Sequence, residues 1–285
     1  MDLKVTKRVF GEINDFPETV FKYRVWTNPA HQTILSNQIV FMAPPSCFED
    51  PKDCKSMKRY DLMTDQDIYD KYYNHSQKKN QDWSNAQHAK FAEEWFSKSP
   101  MRDKEHLKKM AVVDFERFNE RFGVLSLTEK PALEAMWAKY ADNHKGFCVG
   151  FHPKIMFEFL GGGGIVTYHD ELPIINYNDD HQVEHFKQIM CKERKWEFEK
   201  EYRTFMFRLQ PLTIDDRRIK LPRECYSKII FGSKMEKKCK EEIIDTCKKQ
   251  NLPIMYHNCV LTASGEITIN EVNKVCHGIW LLELL

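Results

Sequence analysis

The feature that most constrains this fold is a change of pattern within residues 191–209 (CKERKWEFEKEYRTFMFRL), where a charged helical pattern gives way to strict alternation. Successive side chains of a β-strand point to opposite faces of a sheet, so the alternation predicts a strand that begins near Glu199. Such a strand places two carboxylates, a guanidinium and two phenyl rings on one face: Glu199, Glu201, Arg203, Phe205 and Phe207. If that face is the core face, the predicted strand carries charge on its buried side.

Unpaired charge on a buried face is costly, so these groups must be paired with each other, hydrated in a cleft, or bound to a ligand. Two interpretations follow from the residues alone. In one, Glu201 and Arg203 form an ion pair that only shapes the fold. In the other, the charged face lines a binding or catalytic site.

The order of the predicted elements indicates an α+β fold with a mixed, largely antiparallel sheet core. Short strand patterns alternate with helical ones, and a long Lys/Glu-rich stretch with aromatic residues at helical spacing interrupts them at residues 64–122. We predict a helical insert there, divided at Ser99-Pro100 because the residue before a proline leaves the helical region. No linker separates two halves, so residues 1–285 are predicted to form a single domain.

Charge and cysteine content narrow the classes of protein. Lysine and arginine number 43 against 42 acidic residues, so there is no strong signal for nucleic-acid binding. The N-terminal sequence shows no secretory signal, no apolar run is long enough to cross a membrane, and nine cysteines occur without a C-x-x-C pair. We expect a cytoplasmic protein with reduced thiols, no membrane partner and no metal; the oligomeric state is left open.

Three stretches together resemble a mostly bacterial family called domain of unknown function 2971. They are FKYR at residues 21–24 with FEDP at 48–51, MWAKYADNHKG at 136–146, and KWEFEKEYR at 195–203. Within the second stretch, Gly146 follows a predicted helix and is expected to adopt a left-handed turn. The first stretch departs from the family pattern, because Glu49 stands where asparagine is common. The resemblance implies no established activity.

The order of the motifs is also similar to that of ADP-ribosyltransferases with an arginine, a serine-x-threonine and a glutamate-x-glutamate motif. The corresponding residues are Arg24, residues 126–128 and residues 199–201. The resemblance implies NAD as cofactor and a ribosyl cation in the reaction, with Glu201 stabilising its charge. Arg24 would bind the pyrophosphate, Ser126 would hold the glutamate, and Glu199 would act as base toward the acceptor.

The family stretches also single out Tyr23, Tyr140 and Asp142. Aromatic side chains can stack on a nicotinamide or a base, or simply pack in the core. Asp50 either contacts a ligand or holds its proline-rich loop through an Asx turn. The predicted site is one cleft formed by Tyr23, Arg24, Asp50, Ser126, Tyr140, Asp142, Glu199, Glu201 and Arg203.

Three alternatives to NAD chemistry remain at this stage. The sequence HQVEH at 181–185 matches an H-x-x-E-H zinc signature, so His181, Glu184 and His185 predict a metal-dependent hydrolase if a third ligand exists. Glu193 and Lys195 have the Glu-x-Lys spacing of some nucleases. The last alternative is a non-catalytic module that binds a nucleotide-like small molecule or a partner, in a phage-defence or toxin setting.

Overall fold

The computed structural model describes residues 16–262 and 265–272. The helices in these ranges are α1 (Pro29–Ser36), α2 (Asp65–Lys79), α3 (Asn85–Ser97), α4 (Lys104–Arg121), α5 (Glu134–Tyr140), α6 (Pro153–Leu160), α7 (His181–His185) and α8 (Lys237–Lys249). A π-helical segment, Phe186–Met190, follows α7, and a 3-10 segment spans Arg194–Glu199. None of the described helices is both long and apolar enough to cross a membrane.

The strands in the same ranges are β1 (Val20–Arg24), β2 (Ile39–Phe41), β3 (Lys58–Arg59), β4 (Phe122–Thr128), β5 (Phe147–Phe151), β6 (Gly164–Ile165), β7 (Thr167–His169), β8 (Ile175–Asn176), β9 (Cys191–Glu193), β10 (Glu201–Phe207), β11 (Arg218–Lys220), β12 (Tyr226–Phe231), β13 (Met255–Leu261) and β14 (Ile267–Glu271). Eight of them form one sheet in the order β14-β13-β12-β5-β1-β4-β10-β6. Only the β12–β13 pair is parallel in this sheet, so the predicted α+β fold with a largely antiparallel sheet is confirmed.

Alternate strand residues divide between two hydrophobic layers. Val20, Leu125 and Tyr202 pack in the larger layer, which α1, α6 and α8 cover. Phe21 belongs to a second cluster with Trp137 of α5, on the other face of the sheet. Burial of apolar area at about 25 cal/mol per Å² makes these two layers the main stabilising term.

Three helices, α2, α3 and α4, lie within residues 64–122, where the sequence predicts helices. Thr64 and Ser84 each form a capping box at the start of their helix. The predicted division at Ser99-Pro100 is present, since α3 ends at Ser97 and α4 begins at Lys104. The sequence pattern does not reveal the further break between α2 and α3.

The turn after α5 corrects one expectation. Gly146 does not have a positive φ; Asp142, Asn143 and His144 do, with φ of 47°, 49° and 72°. Such conformations are unfavourable for residues other than glycine. Gly146 is needed instead for space, because its backbone packs directly against the carbonyl oxygen of Arg24.

Replacing Gly146 with alanine is expected to lower the free energy of unfolding by about 2 to 4 kcal/mol. The added Cβ would lie 2.2 Å from the Arg24 oxygen and 2.9 Å from Cα of Ala141, and neither is a flexible side chain. Urea denaturation measures the loss. Gly265→Ala is the control, because φ there is +84° but nothing lies within 4 Å. Backbone strain alone should lower the free energy of unfolding of Gly265→Ala by about 1 kcal/mol. If Gly146→Ala loses no more than this, close contact is not the reason for the glycine.

Candidate functional site

The site begins where the main sheet opens between β1 and β4. These two strands are in register only at Phe21 and Thr128, whereas β4 pairs with β10 from Phe122 to Thr128. Farther along β4, Val124 pairs with Ala43, which precedes the proline-rich loop. The strands therefore separate and leave a cleft between them.

A cavity of about 270 Å³ occupies this cleft. Its wall combines side chains from β1, β4, β9, α5, the segment around Trp196 and the loop at residues 47–53. Seven of the residues predicted for the site line it: Tyr23, Arg24, Asp50, Ser126, Tyr140, Glu199 and Glu201. Asp142 and Arg203 are absent from this lining among the described residues.

One end of the cavity rests on a buried ion cluster. Lys192 Nζ lies 2.5 Å from Glu199 Oε2, 2.9 Å from Glu201 Oε2 and 3.5 Å from Asp53 Oδ2. Arg203 Nε and Nη2 donate to both oxygens of Glu201, and Nη2 also donates to Asp53 at 2.7 Å. All five side chains are almost wholly buried. Because three carboxylates face two cations, the cluster is negative by one charge when every group is ionised.

The geometry of the cluster sets the protonation of its carboxylates. Burial alone would raise the pKa of Glu201, but Arg203 and Lys192 outweigh it and lower the pKa to about 2. Burial raises the pKa of Glu199 above its usual value, because only Lys192 acts strongly against it. Glu201 is therefore fixed as a carboxylate, while Glu199 accepts a proton more readily.

The two glutamates converge through a turn that alternation did not predict. Glu199 ends the 3-10 segment, β10 begins only at Glu201, and Lys200 between them is left-handed with φ of 42°. Thr128 donates from its hydroxyl to the Glu199 carbonyl, which anchors this turn to β4. The expectation that Glu199 lies on the strand is wrong, although both glutamates do line the cavity.

Two cations of β1, Lys22 and Arg24, line the cavity without a direct carboxylate partner among the described residues. Among the described residues neither Lys22 nor Arg24 forms an ion pair: Lys22 Nζ donates to the Ser126 carbonyl at 2.6 Å, and Arg24 Nη1 to the Tyr23 carbonyl at 3.0 Å. Burial and the neighbouring Arg24 lower the pKa of Lys22 to about 7. Burial lowers the pKa of Arg24 to about 10. This wall of the cleft therefore favours an anion.

The rim of the cavity is aromatic. Tyr140 of α5 and Trp196 both line it, and Trp196 Nε1 donates to Asp50 Oδ2. Asp50 Oδ1 also accepts from the backbone of Lys52 at 2.9 Å, so the Asx turn exists beside the contact with Trp196. Lys139 forms an ion pair with Glu49 at 3.0 Å. The loop at residues 47–53 is thus tied to the rest of the rim.

The remaining predicted residues have structural contacts. Arg203 is fully buried and donates to the Ile189 carbonyl as well as to the carboxylates, so it supports Glu201 from behind. Asp142 lies in the left-handed turn and approaches Lys145 at 3.8 Å. Tyr23 donates to the Lys130 carbonyl and packs edge-on against Trp137. Tyr23 and Arg203 thus support the site through these contacts, whereas Asp142 lies outside the cavity lining.

Sequence reasoning missed five residues of the site: Lys22, Asp53, Lys139, Lys192 and Trp196. Three of them, Lys22, Lys139 and Trp196, lie inside the stretches that carry the family resemblance, which was an available signal. The sequence around Lys192 gives no signal for the site, because it has a helical pattern while the structure forms β9 there.

The predicted zinc signature has other contacts. Glu184 binds Lys58 at 2.8 Å, His181 is largely exposed, and His185 packs against Phe122. Within the described ranges, no group of three His, Cys, Asp or Glu side chains is arranged to hold a metal ion.

A family model described as "Protein of unknown function (DUF2971)" matches residues 136–204. The resemblance predicted from the sequence is therefore confirmed over this segment, which includes Tyr140, Lys192, Trp196, Glu199 and Glu201. No curated protein and no solved structure matches the chain. The similarity to ADP-ribosyltransferases accordingly stays a prediction.

Glu201→Gln is expected to lower the free energy of unfolding at pH 7 by about 3 kcal/mol, because Lys192 and Arg203 lose a buried counter-charge. The folded-state pKa is about 2 against a usual 4.5, so this stability is present above pH 4.5 and is lost as the pH falls toward 2. The difference between wild type and variant should therefore narrow on acidification.

Denaturant unfolding of both proteins from pH 7 to pH 2.5 tests this. Glu171→Gln is the matched control, since Glu171 is exposed. If the free energies of unfolding of wild type and Glu201→Gln differ by the same amount across this range, the charge of Glu201 does not stabilise the ion cluster.

Proposed function

We propose that the cleft binds a phosphate-bearing, nucleotide-like small molecule, with NAD as the expected ligand. The observation that carries the proposal is the pair Lys22 and Arg24, two cations that line the cavity and form no ion pair among the described residues. Both side chains are half-buried, and removing a cation even partly from water is unfavourable unless an anion compensates it. A bound pyrophosphate would supply that compensation.

The chemistry of the two side chains favours phosphate. A guanidinium matches two phosphate oxygens with its planar fork, and a lysine ammonium acts as a point charge beside it. Lys22 and Arg24 are two residues apart on β1, so they can contact neighbouring phosphate groups of one ligand. The aromatic rim formed by Tyr140 and Trp196 offers ring faces for a base or a nicotinamide.

The proposed reaction uses the carboxylates at the other end of the cavity. The bond between the nicotinamide nitrogen and ribose C1′ breaks, and its electron pair passes to the ring nitrogen. Glu201, which stays ionised, stabilises the positive charge that develops on the ribose. Water or another acceptor then bonds to C1′, and Glu199 takes the proton that the acceptor releases. The products from water are nicotinamide, ADP-ribose and one proton.

A second candidate function is a binding module without turnover. The observation that favours it is the saturation of Arg203, whose side chain is fully buried and bound to Glu201, Asp53 and the Ile189 carbonyl. A cluster of this kind can hold β10 against its neighbours without taking part in any reaction. The cleft would then bind the same class of ligand and leave it unchanged.

Titration calorimetry with NAD and with ADP-ribose tests the binding proposal. Arg24→Met should lower the affinity for both ligands by about 10- to 100-fold, which is the loss expected for one charge-assisted contact to phosphate. Arg223→Met is the control, because Arg223 is exposed and pairs with Glu224. Absence of saturable binding, or equal affinity in wild type and Arg24→Met, would refute the proposal. Nicotinamide release by wild type but not by Glu201→Gln would separate the enzyme from the binding module.

The affinity for NAD should depend on pH through Lys22. Below its pKa of about 7 the amine is charged and attracts the pyrophosphate; above it the charge is lost and affinity falls. We expect the Kd to be about tenfold higher at pH 8.5 than at pH 6.5, which corresponds to the contribution of one charge-assisted hydrogen bond. The pyrophosphate diester keeps its charge over this range.

Lys22→Arg supplies the matched comparison, because a guanidinium stays protonated at both pH values. Its affinity should be nearly constant from pH 6.5 to pH 8.5. An equally strong pH dependence in wild type and Lys22→Arg would show that another group controls binding.

A further inference from the structure

At the rim of the cavity, the ammonium group of Lys139 lies near two aromatic rings. Its Nζ is 4.9 Å from the centre of the Tyr140 ring and 5.4 Å from the centre of the Trp196 ring. Both distances are within the range of a cation–π contact. A cation of the protein itself therefore lies beside both rings.

Further ammonium groups of the protein lie near the Trp196 ring. Lys192 Nζ and Lys195 Nζ also approach its ring, at 5.3 Å and 5.7 Å from the centre. Its indole N–H donates to the carboxylate of Asp50, and Glu49 contacts Lys139. Aromatic faces backed by carboxylates are the surroundings that proteins use to bind organic cations.

Lys139 differs from Lys192 in how firmly it is held. The side chain of Lys139 is 39 % exposed, and that of its partner Glu49 is 75 % exposed. An exposed lysine–carboxylate pair contributes little to stability, and the lysine stem is flexible. Lys192 is buried and bound to two carboxylates. A ligand can therefore displace Lys139 at low cost but cannot displace Lys192.

We propose that the space between Tyr140 and Trp196 is a subsite for a planar, positively charged ring, and that Lys139 occupies it until the ligand arrives. The inference rests on the proposed function, in which Lys22 and Arg24 bind the phosphates. Within that proposal the ring is the oxidised pyridinium of NAD. The cleft thus combines an anion-binding wall with a cation-binding rim, which selects a ligand carrying both charges.

Three ligands separate this inference from the proposed function. NAD and NADH have the same phosphates, but only NAD has a charged ring, and ADP-ribose lacks the ring altogether. Calorimetry on the wild-type protein should show that NAD binds about fivefold or more tightly than NADH, as loss of a cation–π contact implies. ADP-ribose should bind through the phosphate wall alone.

Lys139→Met removes the competing ammonium, so it is expected to raise the affinity for NAD about two- to fivefold. The affinity for ADP-ribose should not change. Lys145→Met is the control, since Lys145 is an exposed lysine of the following turn. Trp196→Leu should weaken NAD about five- to thirtyfold and abolish the preference over NADH. Tyr140→Leu is a second variant in case Trp196→Leu does not fold, and the affinity for ADP-ribose reports an intact cleft.

Two results would overturn the inference while leaving the proposed function intact. One is equal affinity for NAD and NADH beside normal binding of ADP-ribose. The other is a Lys139→Met protein that binds NAD more weakly than wild type does. Failure of all three ligands to bind would instead refute the phosphate site, and the inference with it.

Discussion

The ion pair network around Lys192 is the interaction on which the geometry of the candidate site depends. It joins Asp53 of the proline-rich loop to three residues that are distant from it in sequence: Lys192 of β9, and Glu201 and Arg203 of β10. Buried charges of this kind are stable only when each has partners in good geometry. The network therefore fixes where the loop, β9 and β10 lie relative to one another.

The separation of β1 from β4 opens a cavity beside this network. A continuous sheet would use the edges of both strands in hydrogen bonds, whereas here they separate after Phe21 and Thr128. The cleft that results has carboxylates at one end and the cations Lys22 and Arg24 along β1. The fold thus brings both signs of charge to one cavity, with Glu201 and Glu199 near enough to Lys22 to act on its pKa.

The sequence predicted the parts of the site that depend on local periodicity and missed those that depend on contacts across the chain. Alternation in β10 correctly placed Glu201 and Arg203 on the same face, because a strand has a fixed period of two residues. The left-handed Lys200 and the partnership with Lys192 have no local signature. Family resemblance drew attention to Tyr140, but it could not show that Trp196 lies across the cavity rim. The expected left-handed Gly146 failed because tertiary packing, not turn chemistry, demands that glycine.

The loop at residues 47–53 contributes at both ends of the cleft, and this limits how a guest molecule enters. Asp50 holds Trp196 at the entrance, while Asp53 is bound to Arg203 in the interior. The loop cannot swing away as a hinged flap without breaking a buried bond to a fully enclosed arginine. The backbone of this loop is therefore already fixed around the cavity, and a preorganised site loses little conformational entropy when it is filled.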